Sequence, residues 1–234
     1  MRVSFRRSGF LDDFVSQVSG VSALAEPARR ALYLYVAAQP EPVSRDQAAE
    51  GVDLPRHTAK FHLDKLVEEG LLDTEFRRLS GRRGPGAGRP TKLYRRSVRE
   101  VAVSLPPRHY DLAGQILARA VDAAARDGVP VLDAVQRAAA ECGHRLGAEE
   151  PPRAGGSVLD DLAVTLAGLG YEPRVQDDVL VLANCPFHAL ARDHTALVCG
   201  MNLHLITALL DELGHTDVLA RLNPAPERCC VTLA

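Results

Sequence analysis

Five cysteines, at 142, 185, 199, 229 and 230, are the residues best suited to chemistry, and the last four fall within the final 50 positions. A thiolate is a soft donor that suits both zinc and iron–sulfur clusters. Cys185 and Cys199 are separated by thirteen residues, and Cys229 and Cys230 are adjacent. Consecutive residues on a strand point to opposite faces. Cys229, which shares a face with Val231 and Leu233, is therefore favoured as a ligand, with Cys230 as its alternative. A metal centre on Cys185, Cys199 and Cys229 needs a fourth ligand. His188 is the nearest candidate, and His194, His204 and His215 are others. The same residues admit three further readings: four inert core thiols, a thiol–imidazole pair of Cys185 with His188 or His194, and structural cysteines around a pocket for a small organic ligand. Nothing else in the sequence supplies a substrate site, so an enzyme is not expected. Cys142 shares an apolar helical face with Ala138, Ala139 and Leu146 and reads as core.

A second constellation is basic. From Arg77 to Arg99 there are nine Lys or Arg residues and no acid. The stretch 80–90 within it holds four glycines, two prolines and the arginines Arg82, Arg83 and Arg89. A Gly-rich loop lets backbone lie close to phosphate, and its arginines neutralise phosphate charge or enter a minor groove. Upstream, Arg56, His57, Thr58, Lys60, Phe61 and Lys65 lie off the apolar face set by Ala59, Leu63 and Leu66. That is the arrangement of a helix that packs on one side and offers the other to a major groove. Ser44, Arg45, His62 and Lys92 join them as candidate DNA contacts. Any one of these features alone is an ordinary solvated surface. In this order and spacing they point to DNA.

The elements that must position these residues are set by pattern and caps. Pro27 opens a helix to about Ala38, and Pro40 and Pro42 prevent its continuation. Ser44 with Gln47 three residues on forms a capping box for a short helix that ends at Gly51. A third helix runs from Leu54–Pro55 to about Glu69, with Gly70 as its stop. Residues 71–79 and 91–96 read as strands of a basic hairpin. After a linker at Pro106 and Pro107, amphipathic helices are expected over 111–126 and 130–147, and another over 158–169. A hairpin turns at Asp177–Asp178, a helix spans 199–213, and two strands, 218–222 and 229–233, close the chain. The class is α+β: a winged helix-turn-helix over residues 1–100, then an α/β sensor and dimerisation domain over 101–234.

Residues 58–71, Thr-Ala-Lys-Phe-His-Leu-Asp-Lys-Leu-Val-Glu-Glu-Gly-Leu, resemble the recognition helix of ArsR-like winged-helix regulators. Gly88-Arg89-Pro90-Thr91-Lys92-Leu93-Tyr94 resembles the wing of the subgroup that represses iron–sulfur-assembly (Suf) operons. Asn184-Cys185-Pro186, Cys199 and Cys229 resemble the cysteine series that holds an iron–sulfur cluster in that subgroup. The resemblance implies a transcriptional regulator, a double-stranded DNA operator as partner, and a cluster, or zinc instead, on those cysteines. It implies a homodimer too, because a two-fold operator pairs with a two-fold protein. The predicted helix 111–126, with Leu112, Ile116, Leu117, Ala120 and Val121, is a candidate interface.

Charge patterning supports two modules. Residues 1–110 carry 19 basic against 13 acidic side chains, and residues 111–234 carry 9 against 17. The net values of +6 and −8 close to the overall −2. No run of about 18 apolar residues predicts a membrane span, and the first 20 residues do not read as a signal peptide. A cytoplasmic location with reduced cysteines is the expectation.

Overall fold

The computed structural model describes residues 8–78, 90–151 and 157–234. The chain divides into two compact units, Met1–Val103 and Ser104–Ala234.

The first unit begins with α1 (Ser8–Ala23), a helix not expected from the sequence. It is tied down by polar contacts: Ser19 donates to Glu69 at 2.5 Å, and Arg99 donates to Ser16 at 2.7 Å. Next comes α2 (Pro27–Ala38), capped by the Glu26 carboxylate, which accepts from the Ala28 and Arg29 amides. These backbone bonds, led by Arg29, hold the Glu26 carboxyl below its usual range. Strand β1 (Val43–Ser44) leads into α3 (Arg45–Gly51), and the expected Ser44/Gln47 capping box is formed in full. Helix α4 (Arg56–Glu68) buries Ala59, His62, Leu63 and Leu66. Gly70, at φ 70°, adopts the left-handed conformation that ends such a helix. Strands β2 (Leu72–Arg77) and β3 (Thr91–Arg96) pair antiparallel, from Leu72↔Arg96 to Arg77↔Thr91. The sheet order is β1-β3-β2. The two-residue β1 was missed because Pro40 and Pro42 dominate the pattern there. One core joins Leu32, Val36, Ala48, Leu63, Leu66, Leu72 and Tyr94.

The second unit is built on α9 (Thr195–Glu212), whose buried residues include Val198, Met201, Asn202, Leu205, Ile206 and Leu209. A helix buried around most of its circumference is a core helix. Against it lies α6 (Val131–Glu149), and at Gly143 the approach is so close that a Cβ would stand 2.2 Å from the Leu205 carbonyl oxygen. Helices α5 (Tyr110–Asp127), α7 (Val158–Gly168) and α8 (His188–Asp193) complete the helical part. Strands β4 (Pro173–Gln176), β5 (Val179–Leu182), β6 (Ala220–Leu222) and β7 (Val231–Leu233) form an antiparallel sheet in the order β4-β5-β7-β6. The fold is α+β, as expected, and this second sheet is antiparallel throughout. The β4–β5 turn falls on Asp177 and Asp178, both at positive φ, as the sequence implied.

Two expectations need correction here. Cys229 and Cys230 precede β7, which begins at Val231, so strand alternation does not govern them. On α5, Ile116 and Ala120 are fully buried in the unit's own core, which leaves Val121 as the exposed member of the proposed interface. Among the described residues, no helix is long and apolar enough to cross a membrane.

Candidate nucleic-acid interface and thiol cluster

Helix α4 presents Arg56, His57, Lys60 and Phe61 to solvent, with Phe61 64% exposed. The spacing that buries Ala59, Leu63 and Leu66 places these side chains on the opposite face. Thr58 and Lys65 are half-buried beside them. His62 departs from the expected role: it is buried, with Nδ1 3.6 Å from Glu26, so its ring faces the fold and not the exposed stripe. Arg82, Arg83 and Arg89 lie outside the described residues.

Arg45, Arg56, Lys60, Lys65 and Lys92 each have an acidic partner. Arg45 and Arg56 share Asp46 at 3.1 and 2.7 Å. Lys65 meets Glu68 at 3.0 Å and Glu69 at 2.9 Å. Those bonds, Glu69 first, raise the Lys65 ammonium above its usual range. Lys60 and Lys92 share Asp64 at 2.9 and 2.7 Å. The buried Tyr94 hydroxyl donates to the same carboxylate at 3.2 Å. Burial opposes ionisation of Asp64, but the lysine hydrogen bonds, Lys92 before Lys60, prevail and hold its carboxyl below normal. Ser44, Arg45, Lys60, Asp64, Thr91 and Lys92 line one cleft between α4 and β3. Sequence reasoning missed Asp64 because an acid in a candidate DNA-reading helix carries no signal until its partners are placed.

In the second unit the four C-terminal thiols come together. The Cys199 and Cys230 sulfurs are 2.9 Å apart. The Cys185 and Cys229 thiols act on one another, each as the first cause of the other's shift. The pairs also feel one another electrostatically, Cys185 acting on Cys199 and Cys230 on Cys229. The Cys229 hydrogen bond, the Phe187 amide and the Arg108 guanidinium outweigh burial and lower the Cys185 thiol to about 7. Cys229 is pushed far up, first by its bond to Cys185 and then by burial. Burial, then the bond to Cys230, pushes Cys199 up to about 12. Asn202, itself buried, donates to the Cys229 sulfur at 3.2 Å and accepts from the buried Tyr171 hydroxyl. Asn184 is held by the Pro107 and Gly170 carbonyls, which fixes the turn that carries Cys185.

Both adjacent cysteines therefore take part, each with its own partner, because the chain is irregular before β7. His188 is exposed at the start of α8 and is not among the groups that shift Cys185, Cys199 and Cys229. His204 lines a cleft beside α6, and His215 lines another with Asp161 and Glu212. The first cause of the Cys185 shift is the Cys229 thiol. Cys142 lies in the core, where burial raises its thiol.

The donor set suits a metal by chemistry: four thiols, one already held toward ionisation, with an Asn N–H directed at a sulfur. The arrangement has one close sulfur pair, Cys199 with Cys230, and is not a single polyhedron. Sulfurs around a tetrahedral zinc stand about 3.8 Å apart, so Cys199 and Cys230 must separate to share one ion. Among the described residues, no group of three or more His, Cys, Asp or Glu side chains is arranged to hold a metal ion as it stands.

A helix-turn-helix domain family model matches residues 24–75, which takes in α2, α3, α4 and the start of β2. The first unit carries a helix-turn-helix domain. That domain supports a DNA-binding transcriptional regulator, and the β2–β3 hairpin stands where a wing belongs. No curated protein matches the chain significantly. Among solved structures, human N-acetylserotonin methyltransferase in complex with SAM is 20% identical, with a TM-score of 0.24, covering 63% of this chain and 46% of that one. The chain spans under half the length of that protein, and a TM-score so low is no evidence of a shared fold.

Proposed function

We propose that this protein is a transcriptional regulator of the kind that represses iron–sulfur-assembly operons. In this reading it binds a double-stranded operator as a homodimer, through α4 and the β2–β3 wing. Its second unit senses through an iron–sulfur cluster, or zinc, held by Cys185, Cys199, Cys229 and Cys230. The observation that carries the sensor half is the gathering of those four thiols from three separate stretches of chain, with the Cys199 and Cys230 sulfurs 2.9 Å apart and Cys185 and Cys229 acting on one another. Inert core cysteines have no reason to converge, and a buried thiol loses little by standing alone among apolar groups.

The bound group would supply a cross-link between the start of α9, the Cys185 turn and the segment before β7, and its stability would depend on oxidant and metal supply. The chain's own residues set the scene for it. Arg108 and the Phe187 amide favour the thiolate at Cys185. Asn202, oriented by Tyr171, directs an N–H at Cys229.

The test is metal and sulfide analysis, with a visible spectrum, on protein purified without oxygen, together with selection of binding sequences from a random duplex pool. Bound iron with sulfide, or zinc, at a fixed ratio supports the sensor. Protein with neither metal nor sulfide that still selects an operator favours a regulator with structural cysteines and a small organic ligand.

A further inference from the structure

We propose that Asp64 is a specificity-determining counter-charge: it pairs with Lys60 and Lys92 in the free protein, cancels one of their two charges, and so suppresses binding to non-operator DNA. This rests on the reading of α4 and β3 as a DNA-binding surface. The carboxylate sits where helix and wing strand meet, on a face that also carries cations, Phe61, small polar groups and a second acid, Asp46. Its position is fixed from the core side. The buried Tyr94 hydroxyl holds it at 3.2 Å, and Tyr94 is locked in the sheet opposite Val43 and Thr74. The two ammonium groups that reach it, at 2.9 and 2.7 Å, are on long stems, and the Lys60 side chain is 60% exposed. The carboxylate therefore stays while the lysines can leave.

The consequences differ for the two classes of DNA. Sequence-independent binding is counterion release by phosphate, so it depends on the free positive charge on the face. Asp64 takes one unit of positive charge from that count, holds both ammonium groups away from phosphate, and repels phosphate itself. An operator complex also needs Lys60 to point in one direction, and the Asp64 bond supplies that direction. Asp46 repeats the device with Arg45 and Arg56, which shows that an acid shared by two cations is a recurring feature of this surface.

The experiment compares the full chain with its Asp64→Asn and Asp64→Glu variants. Each is titrated with an operator duplex selected from a random pool and with a scrambled duplex, over a series of salt concentrations. Asp64→Asn keeps an acceptor for Tyr94 but loses the charge. It should bind the scrambled duplex several-fold more tightly, with a salt slope steeper by about one unit for each phosphate newly neutralised. Its operator affinity should rise less or fall, so discrimination drops. Asp64→Glu should restore both the slope and the discrimination. If the amide variant does not fold, as read by its melting curve, Asp64→Ser replaces it with the same expected outcomes. An unchanged slope on scrambled DNA overturns the inference, and so does an equal loss on both duplexes. A wild-type chain that selects no sequence at all overturns the DNA-binding reading itself.

Discussion

The sulfur of Cys199, at the start of α9, lies 2.9 Å from the sulfur of Cys230, one residue before β7. Thirty residues of helix and loop separate them in the chain, and the packing of α9 on β6 and β7 closes the gap. The neighbouring Cys229 turns the other way, toward Cys185.

Single Ser variants of Cys185, Cys199, Cys229 and Cys230 should each lose bound iron or zinc and any cluster absorption. Cys142→Ser should keep both, because that thiol lies in the α6 face of the core. Retention of metal at the wild-type ratio in all four variants would sink the sensor reading.

Arg56 and Lys60 stand on the exposed face of α4, opposite Leu63. Replacing either with Ala should weaken operator binding by about 1–3 kcal/mol if it reads a base. Both begin paired, with Asp46 and Asp64, so the loss should be greater for operator than for scrambled DNA. Unchanged operator affinity in the double variant would show that α4 does not enter the groove.

Gly143 is where α6 meets the α9 backbone. Gly143→Ala puts a methyl 2.2 Å from the Leu205 carbonyl oxygen and 3.0 Å from the Leu209 nitrogen. The backbones must part, at a cost of about 1–3 kcal/mol or more. Gly114→Ala on α5 meets nothing within 4 Å. It should stabilise instead, by roughly 0.5–1 kcal/mol. Denaturant midpoints of the two variants should move in opposite directions.

Tyr94 gives a pH signature. Burial, then the Asp64 charge and hydrogen bond, raises its hydroxyl from 10.0 to about 12. The unfolded chain thus releases this proton first. The contribution is fully present below pH 10 and is lost as pH rises toward 12. Tyr94→Phe should flatten the alkaline fall in urea midpoint across that window, while the share due to Tyr171, also raised by burial, remains. A fall of wild-type steepness in Tyr94→Phe would refute the assignment.

The sequence by itself determined the local elements. Pro27, the Ser44/Gln47 box, Gly70 and the Asp177–Asp178 turn each act through bonds to residues within a few positions, so their signals are written in short windows. It also determined which face of α4 is apolar, since helical period alone sorts Leu63 from Lys60. Tertiary structure decided the rest. Helix α1 is held by contacts with Glu69, Arg99 and Val101, far away in the chain. Strand β1 exists because β3 offers it an edge. His62 is buried with its ring near Glu26, whereas its residue type left a structural role and a phosphate contact both open. Cysteine spacing named the thiols, but only the fold could assign Cys230 to Cys199 and Cys229 to Cys185, because pairing depends on where α9 and β7 lie in space. Asp64 is the clearest case. As one letter in a helix it is a solvated acid, and its meaning comes from Lys92 and Tyr94, which reach it across the sheet.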